Sequence, residues 1–337
     1  ISLPTVSPRS AVLGDIRRMN TAYEFPGVPL ISLTSSIPAV ATSGGTSIVN
    51  STPCAPLAAG GLYQVTLSNN GCDWTVSGAA RFGTFSVGRR SFTVGAGVSN
   101  FGPLTRVENG GTLTVGAGES TFTDVVITGT NTKASFDPGG ADKKIVVKNI
   151  EISDNAIVFF KQGIYEIQGT LYVTRGASLI IDPGVVVNVK DVIIGDTSGG
   201  NSAGIIAVNQ NSGTLTFNVD NNMTVRKQAL LNFLCTNPSG CGNFAGVSAR
   251  TPVDFIVNVR NDITLEASDV FFYGLINSDG DVYIGKGTVF AGAILGDTIT
   301  VQEGSPGTLI AWDKHIGRNF LRTGRFRVIS WVKSNFK

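Results

Sequence analysis

The residues best suited to chemistry crowd the end of the chain. Between Trp312 and Lys337 there are seven Lys or Arg residues and one acid, Asp313. Lys314, Arg318, Arg322, Arg325, Arg327 and Lys333 supply the charge, and Trp331 and Phe320 supply rings among them. Guanidinium groups beside aromatic rings hold phosphates and stack bases, which gives sequence-independent, salt-sensitive affinity for nucleic acid. The strand candidate over 325–333 places Arg325, Arg327, Trp331 and Lys333 on one face and Phe326, Val328 and Val332 on the other. The plainer reading of such a run is a solvated cap face, or a docking surface for an acidic neighbour. The chain totals are 26 basic and 24 acidic residues, so 19 basic and 23 acidic residues remain outside the tail. The overall charge of +2 therefore combines a basic tail with a body of about −4.

Other chemistries find little support. Glycoside hydrolysis needs two carboxylates at a set separation, and no adjacent acidic pair occurs. The nearest cluster, Asp279-Gly280-Asp281, reads as a turn. The run Gly280 to Thr288, GDVYIGKGT, nearly spells a phosphate loop, but Gly287 stands where Ser or Thr belongs and the context is strand–turn–strand. A single histidine, His315, lies outside the rod and no CxxC occurs, so a Ser–His–Asp or Cys–His set and a zinc site are not expected unless the fold contrives one. No catalytic residue, metal site or cofactor is expected. Thr224, Thr264 and Thr300 fall at outward positions, where flat hydroxyl arrays bind sugars but where any exposed β surface also carries Thr.

The four cysteines form two sequence-local groups, Cys54 with Cys72 and Cys235 with Cys241, both flanked by loop-like residues. Local disulfides in an exported protein are expected. Spacing alone leaves three pairings open.

The elements that carry these residues follow a repeat. A turn residue followed by apolar–any–apolar recurs at Asp262-Ile263-Thr264-Leu265, Asp281-Val282-Tyr283-Ile284 and Asp297-Thr298-Ile299-Thr300-Val301. Followed backwards, the first apolar residue of the phrase falls at Trp74, Phe92, Leu113, Ala134, Ile150, Leu171, Val192, Met223, Ile263, Val282 and Ile299. Most intervals lie between 17 and 21 residues. The 31-residue interval reads as a coil with a loop around 198–202. The 40-residue interval, which holds Cys235 and Cys241, fits two coils with an unlabelled turn near Phe244. A coil this short cannot bury its own apolar face, so coils must stack at ~4.8 Å. Val and Ile suit the crowded interior, and the 42 glycines suit the corners. The pattern predicts an all-β, right-handed β-solenoid of about 20 residues per coil and about 11 to 12 coils, with helix scarce.

Three regions follow. Residues 1–80 form a Pro/Ser/Thr-rich flank or cap, with a short helix possible over 15–23; within it, 62–76 either starts the rod or belongs to a small sheet beside it. Residues 81–303 form the solenoid. Residues 304–337 form the basic C-terminal cap or strand region. Charged residues make up only 15% of the chain, a balance typical of extracellular β proteins. No apolar run reaches the length of a membrane span. The start at Ile1 suggests that a signal or anchor has been removed.

The C-terminal half resembles the β-solenoid module of large minor pilins and PilX-like pilus-assembly proteins, over roughly 140–335. The resemblance rests on Gly274-Leu275-Ile276, Asp281-Val282-Tyr283-Ile284, Gly292-Ala293-Ile294 and Trp312-Asp313. It also rests on GIYEIQGTLYV over 163–173 and on RVISWVK at the end. It implies an exported, non-enzymatic protein of the pilus and cell surface, with other pilus subunits as partners. Its ComZ-like members capture extracellular DNA for uptake in natural transformation; other members look like adhesins for surfaces or polysaccharides. The N-terminal hydrophobic helix of a complete minor pilin is absent. The expected function is DNA capture by the tail, with polysaccharide adhesion as the alternative and polysaccharide cleavage a distant third.

Overall fold

The computed structural model describes residues 28–68, 71–196, 205–208, 214–235, 247–249, 254–266, 269–302 and 308–312. They form a β-solenoid of about ten turns, about 21 residues apart, with no helix among them. The ladder is parallel except where Leu230–Cys235 meets Val247–Ala249.

Each coil lays its strands on three faces. One coil reads 164–167 on the first face, 171–173 on the second and 178–181 on the third. The next repeats them at 186–189, 192–194 and 205–208. The first two faces share one long strand, Ile164–Val173, which breaks its register between Ile167 and Thr170. Alternation sends every second side chain inward, where stacked coils close over it. On the second face Val125, Ile150, Leu171, Val192, Met223, Ile263 and Val282 form one buried file. On the first face Phe82, Phe101 and Phe122 stack with ring centroids 4.5 and 4.3 Å apart, an offset-stacking distance that adds to simple burial.

The corner between the second and third faces needs a left-handed residue in coil after coil. Asn109, Asn131, Asp154, Asn155 and Arg175 all have positive φ there. Asn and Asp tolerate this conformation, whereas Arg bears its full steric cost. Arg175 is held in place by its ion pair to Asp154 in the neighbouring coil, at 2.9 Å.

Three expectations about organisation change. The rod begins before residue 81, because Thr46–Val49 pairs with Leu62–Leu67, and that strand pairs with Arg81–Gly88. It continues past 303, because Leu309–Trp312 pairs with Val289–Leu295. The 40-residue interval is one coil, not two: Met223 pairs directly with Ile263, and Asn218 with Asn258. The extra residues follow Leu230–Cys235, and among them Val247–Ala249 pairs back on that strand. The expected helix over 15–23 lies outside the described residues.

Residues 28–45 form no strand and instead run along the outside of the first face. The Val28 amide donates to Asp279. Ser35 sits on Glu166. Ala41 and Gly44 accept from Gln64. The chain thus descends from the coil of Asp279 to the coil of Gln64 before it starts to wind. From Asn277 to Arg81 the ladder takes eight steps, or ~38 Å at ~4.8 Å each, and thirteen extended residues span ~43 Å. The strap is therefore nearly straight. Ile31, Leu33, Ser35 and Ile37 are half-buried while Ser32, Thr34 and Ser36 are exposed, the period-2 pattern of an extended segment lying on a surface.

Candidate functional site

The tail residues Lys314, Arg318, Arg322, Arg325, Arg327, Trp331 and Lys333 lie outside the described residues, as does Phe320. Of the cysteines, Cys54 and Cys72 form a disulfide with Cα atoms 5.9 Å apart. Cys235 ends its strand, and Cys241 lies outside the described residues.

The flagged threonines share the second face. Thr224 and Thr264 are direct neighbours in the ladder, but Tyr283 stands between Thr264 and Thr300. The same outward file continues below Thr224 through Ile193 to Tyr172. Tyr172, Ile193, Thr224, Thr264 and Tyr283 thus form one row, each half-buried. Four rungs at ~4.8 Å put the two tyrosines ~19 Å apart. Arg226 anchors one end, donating to the Tyr172 hydroxyl at 3.2 Å with its guanidinium carbon 6.0 Å from the ring centroid. Tyr283 donates to Gln302 at 2.9 Å at the other end. The row's own side chains carry hydroxyls and apolar surface, with Arg226 and the ladder neighbour Glu151 flanking it at the Tyr172 end. Thr224 and Thr264 were legible as outward positions, whereas Tyr172, Ile193 and Tyr283 join them only through the register.

Several cations on the rod have acidic partners. Arg106 pairs with Glu108, Lys143 with Glu119, Lys161 with Asp182 and Arg260 with Asp220, all half-exposed pairs on the surface. Carboxylates serve the corners in the same way. Asp124 accepts from Asn149, Asp191 from Asn221, and Asp262 from the amide of Asp281. The Asp279-Gly280-Asp281 run is a turn, with Asp279 bound to the strap. GDVYIGKGT is strand, turn and strand, Val282–Ile284 leading to Val289–Leu295. Among the described residues, no group of three or more His, Cys, Asp or Glu is placed to hold a metal ion, and no helix is long and apolar enough to cross a membrane.

Two interior groups are shifted in their protonation. Tyr165 stacks on Phe160 at 3.9 Å and donates to the carbonyl oxygens of Phe136 and Lys161. Burial pushes its hydroxyl well above the ordinary tyrosine range. Glu166 points outward from the first face yet is only 3% exposed, because the strap covers it. Its carboxylate accepts from the Ser35 amide at 2.8 Å, from the Ser35 hydroxyl, from Lys144 at 3.1 Å and from Gln168 at 3.2 Å. Burial raises its affinity for a proton, but those donors together outweigh burial and hold the carboxyl below the usual glutamate range.

Compared with known proteins, the chain matches no family model, no curated protein and no solved structure.

Proposed function

We propose that this is a non-enzymatic, extracellular binding protein whose rigid solenoid presents the second-face row to a neutral polysaccharide surface. The observation that carries the reading is the in-register row Tyr172, Ile193, Thr224, Thr264, Tyr283. Rings at both ends suit stacking on sugar faces, and the hydroxyls of the two threonines between them make no hydrogen bond among the described residues, so they can bond a ligand. The disulfide suits an oxidising, exported setting. A non-enzymatic role is favoured because carboxylates such as Asp124, Asp191, Asp262 and Asp220 are bound to corner amides and to cations. The test is co-sedimentation with insoluble polysaccharides such as chitin, cellulose and peptidoglycan. A paired Tyr172→Ala, Tyr283→Ala variant is expected to bind at least ~30-fold more weakly, as loss of an aromatic hot spot does. Salt should have little effect. Equal binding by the variant would sink the reading.

A second reading is DNA capture by the tail, at a pilus or cell surface, as the resemblance implies. It is favoured by the contrast between a tail of seven cations against one acid and a remainder in which 23 acidic residues outnumber 19 basic ones. Six or more phosphate contacts would cost ~10³-fold in affinity between ~50 and ~200 mM salt. Arg322→Ala, Arg325→Ala and Arg327→Ala together should remove that binding. Salt-sensitive binding that survives those changes would move the DNA site onto the rod, and no binding at low salt would end the reading.

A further inference from the structure

We propose that residues 28–41 are a releasable strap, held closed by the buried Glu166 carboxylate and let go when that carboxylate is neutralised. Three features of the structure carry this. The strap makes no strand pairing, so side-chain anchors rather than a backbone ladder hold it. Those anchors fall at three widely spaced places: at Asp279, at Glu166 with Lys144 and Gln168 also donating to Ser35, and at Gln64. Only the central one is buried, and it joins four donors on one carboxylate.

The groups around Glu166 limit what else can titrate there. Lys144 approaches from the preceding coil, Ser35 from the strap and Gln168 from its own strand. Its ladder neighbours are Val146 on one side and Asn188 on the other, and neither ionises. Lys144 stays half-exposed and keeps its water. Protonation of Glu166 removes the charge that strengthens the bonds from Lys144 and the Ser35 amide, turns one of its two acceptor oxygens into a hydroxyl, and leaves a neutral acid beside a cation. Because closure favours the ionised form, the latch is at full strength above the ordinary glutamate pKa and is lost as pH falls through the lower value of the closed state.

Release would change where the protein is held. In the closed form residue 28 leaves the rod at the coil of Asp279. A free strap stays tied only where winding begins, at Thr46 in the first coil. The point of attachment for everything upstream would then move by ten rungs, or ~48 Å. It would also uncover the outward amide file Asn188, Asn218, Asn258, Asn277, whose members bond one another from coil to coil.

The experiment is amide exchange on the full chain at a series of pH values, corrected for intrinsic rates. Strap amides are expected to be protected at pH 7 and to lose protection below the ordinary glutamate range, while second-face strands stay protected throughout. Glu166→Gln should leave the strap open at both ends of the series with no pH transition. Gly83→Ala provides an opening that leaves Glu166 intact, since its Cβ would meet the Ala41 carbonyl of the strap; the remaining pH dependence should persist. Protection of 28–41 that stays constant down to pH 3, or a transition that survives Glu166→Gln, would overturn the proposal.

Discussion

Met223 and Ile263 sit side by side in one ladder although 40 residues separate them. Thr224 likewise neighbours Thr264, and Val225 neighbours Leu265. The coil between them pairs directly with its neighbours on the first and second faces, and within its surplus Val247–Ala249 pairs antiparallel with the third-face strand Leu230–Cys235. The surplus is therefore not needed to continue the first two faces.

This gives a direct prediction about the insertion. In the coil of Ile164–Val173, the third-face strand Ser178–Ile181 reaches the next first-face strand, Val186–Ile194, across residues 182–185. A link of the same length should therefore connect Leu234 to Ile256, with Cys235 and Phe255 as its first and last residues. Replacing 236–254 with a short Gly/Ser link is expected to preserve the far-UV β signal and a cooperative melt. Loss of that signal would mean that the insertion itself holds the coil together.

The disulfide makes a different claim, about the first coil. Cys54 and Cys72 close a loop of 18 residues, and a cross-link of that size stabilises by ~3 kcal/mol in the chain-entropy account. Serine at both positions, or reduction, should loosen 46–76 first, because each coil of a solenoid depends mainly on its neighbours. Limited proteolysis before and after reduction reads this out. Cleavage confined to the region before Arg81 is expected, with the coils beyond it intact. Unchanged proteolysis would show that strand pairing alone fixes that coil.

How far the sequence reveals this arrangement depends on which signals are local. Leu171, Val192 and Val282 were readable because an inward residue in a stacked coil is apolar wherever it falls. The step from Ala134 to Ile150 shows the limit of that signal. Ala134 belongs to the third face, where its next neighbour is Val158, and Ile150 belongs to the second, where its partner is Val125. Both faces use the same apolar–any–apolar phrase, so periodicity cannot tell one from the other, and the short interval is a change of face. The strap was less legible still. Its half-buried alternation at Ile31, Leu33 and Ile37 was present, but Ser35 meets Glu166 across 131 residues, and nothing local marks that partner. The candidate row suffered in the same way, since Tyr172 and Tyr283 align only once loops of unequal length have been folded out.

The strength of the nearest-neighbour coupling can be measured at Phe101. Its ring lies between Phe82 at 4.5 Å and Phe122 at 4.3 Å, with Phe85 edge-on at 5.3 Å, and it is fully buried. Removing it opens a cavity that rings on both sides cannot fill without leaving their own coils, so Phe101→Ala should cost ~3–5 kcal/mol, the usual range for a buried phenylalanine. Phe101→Leu should cost less, because most of the volume is kept. Urea unfolding gives the size of the loss, and amide exchange gives its location. If stability is a sum over adjacent coils, exchange will rise between 81 and 128 and stay slow in Ile263–Leu265 and Val282–Ile284, many rungs away. A uniform rise along the whole rod would instead mean that the aromatic stack and the distant aliphatic coils melt as one unit, and local coupling would then be the wrong account of this solenoid.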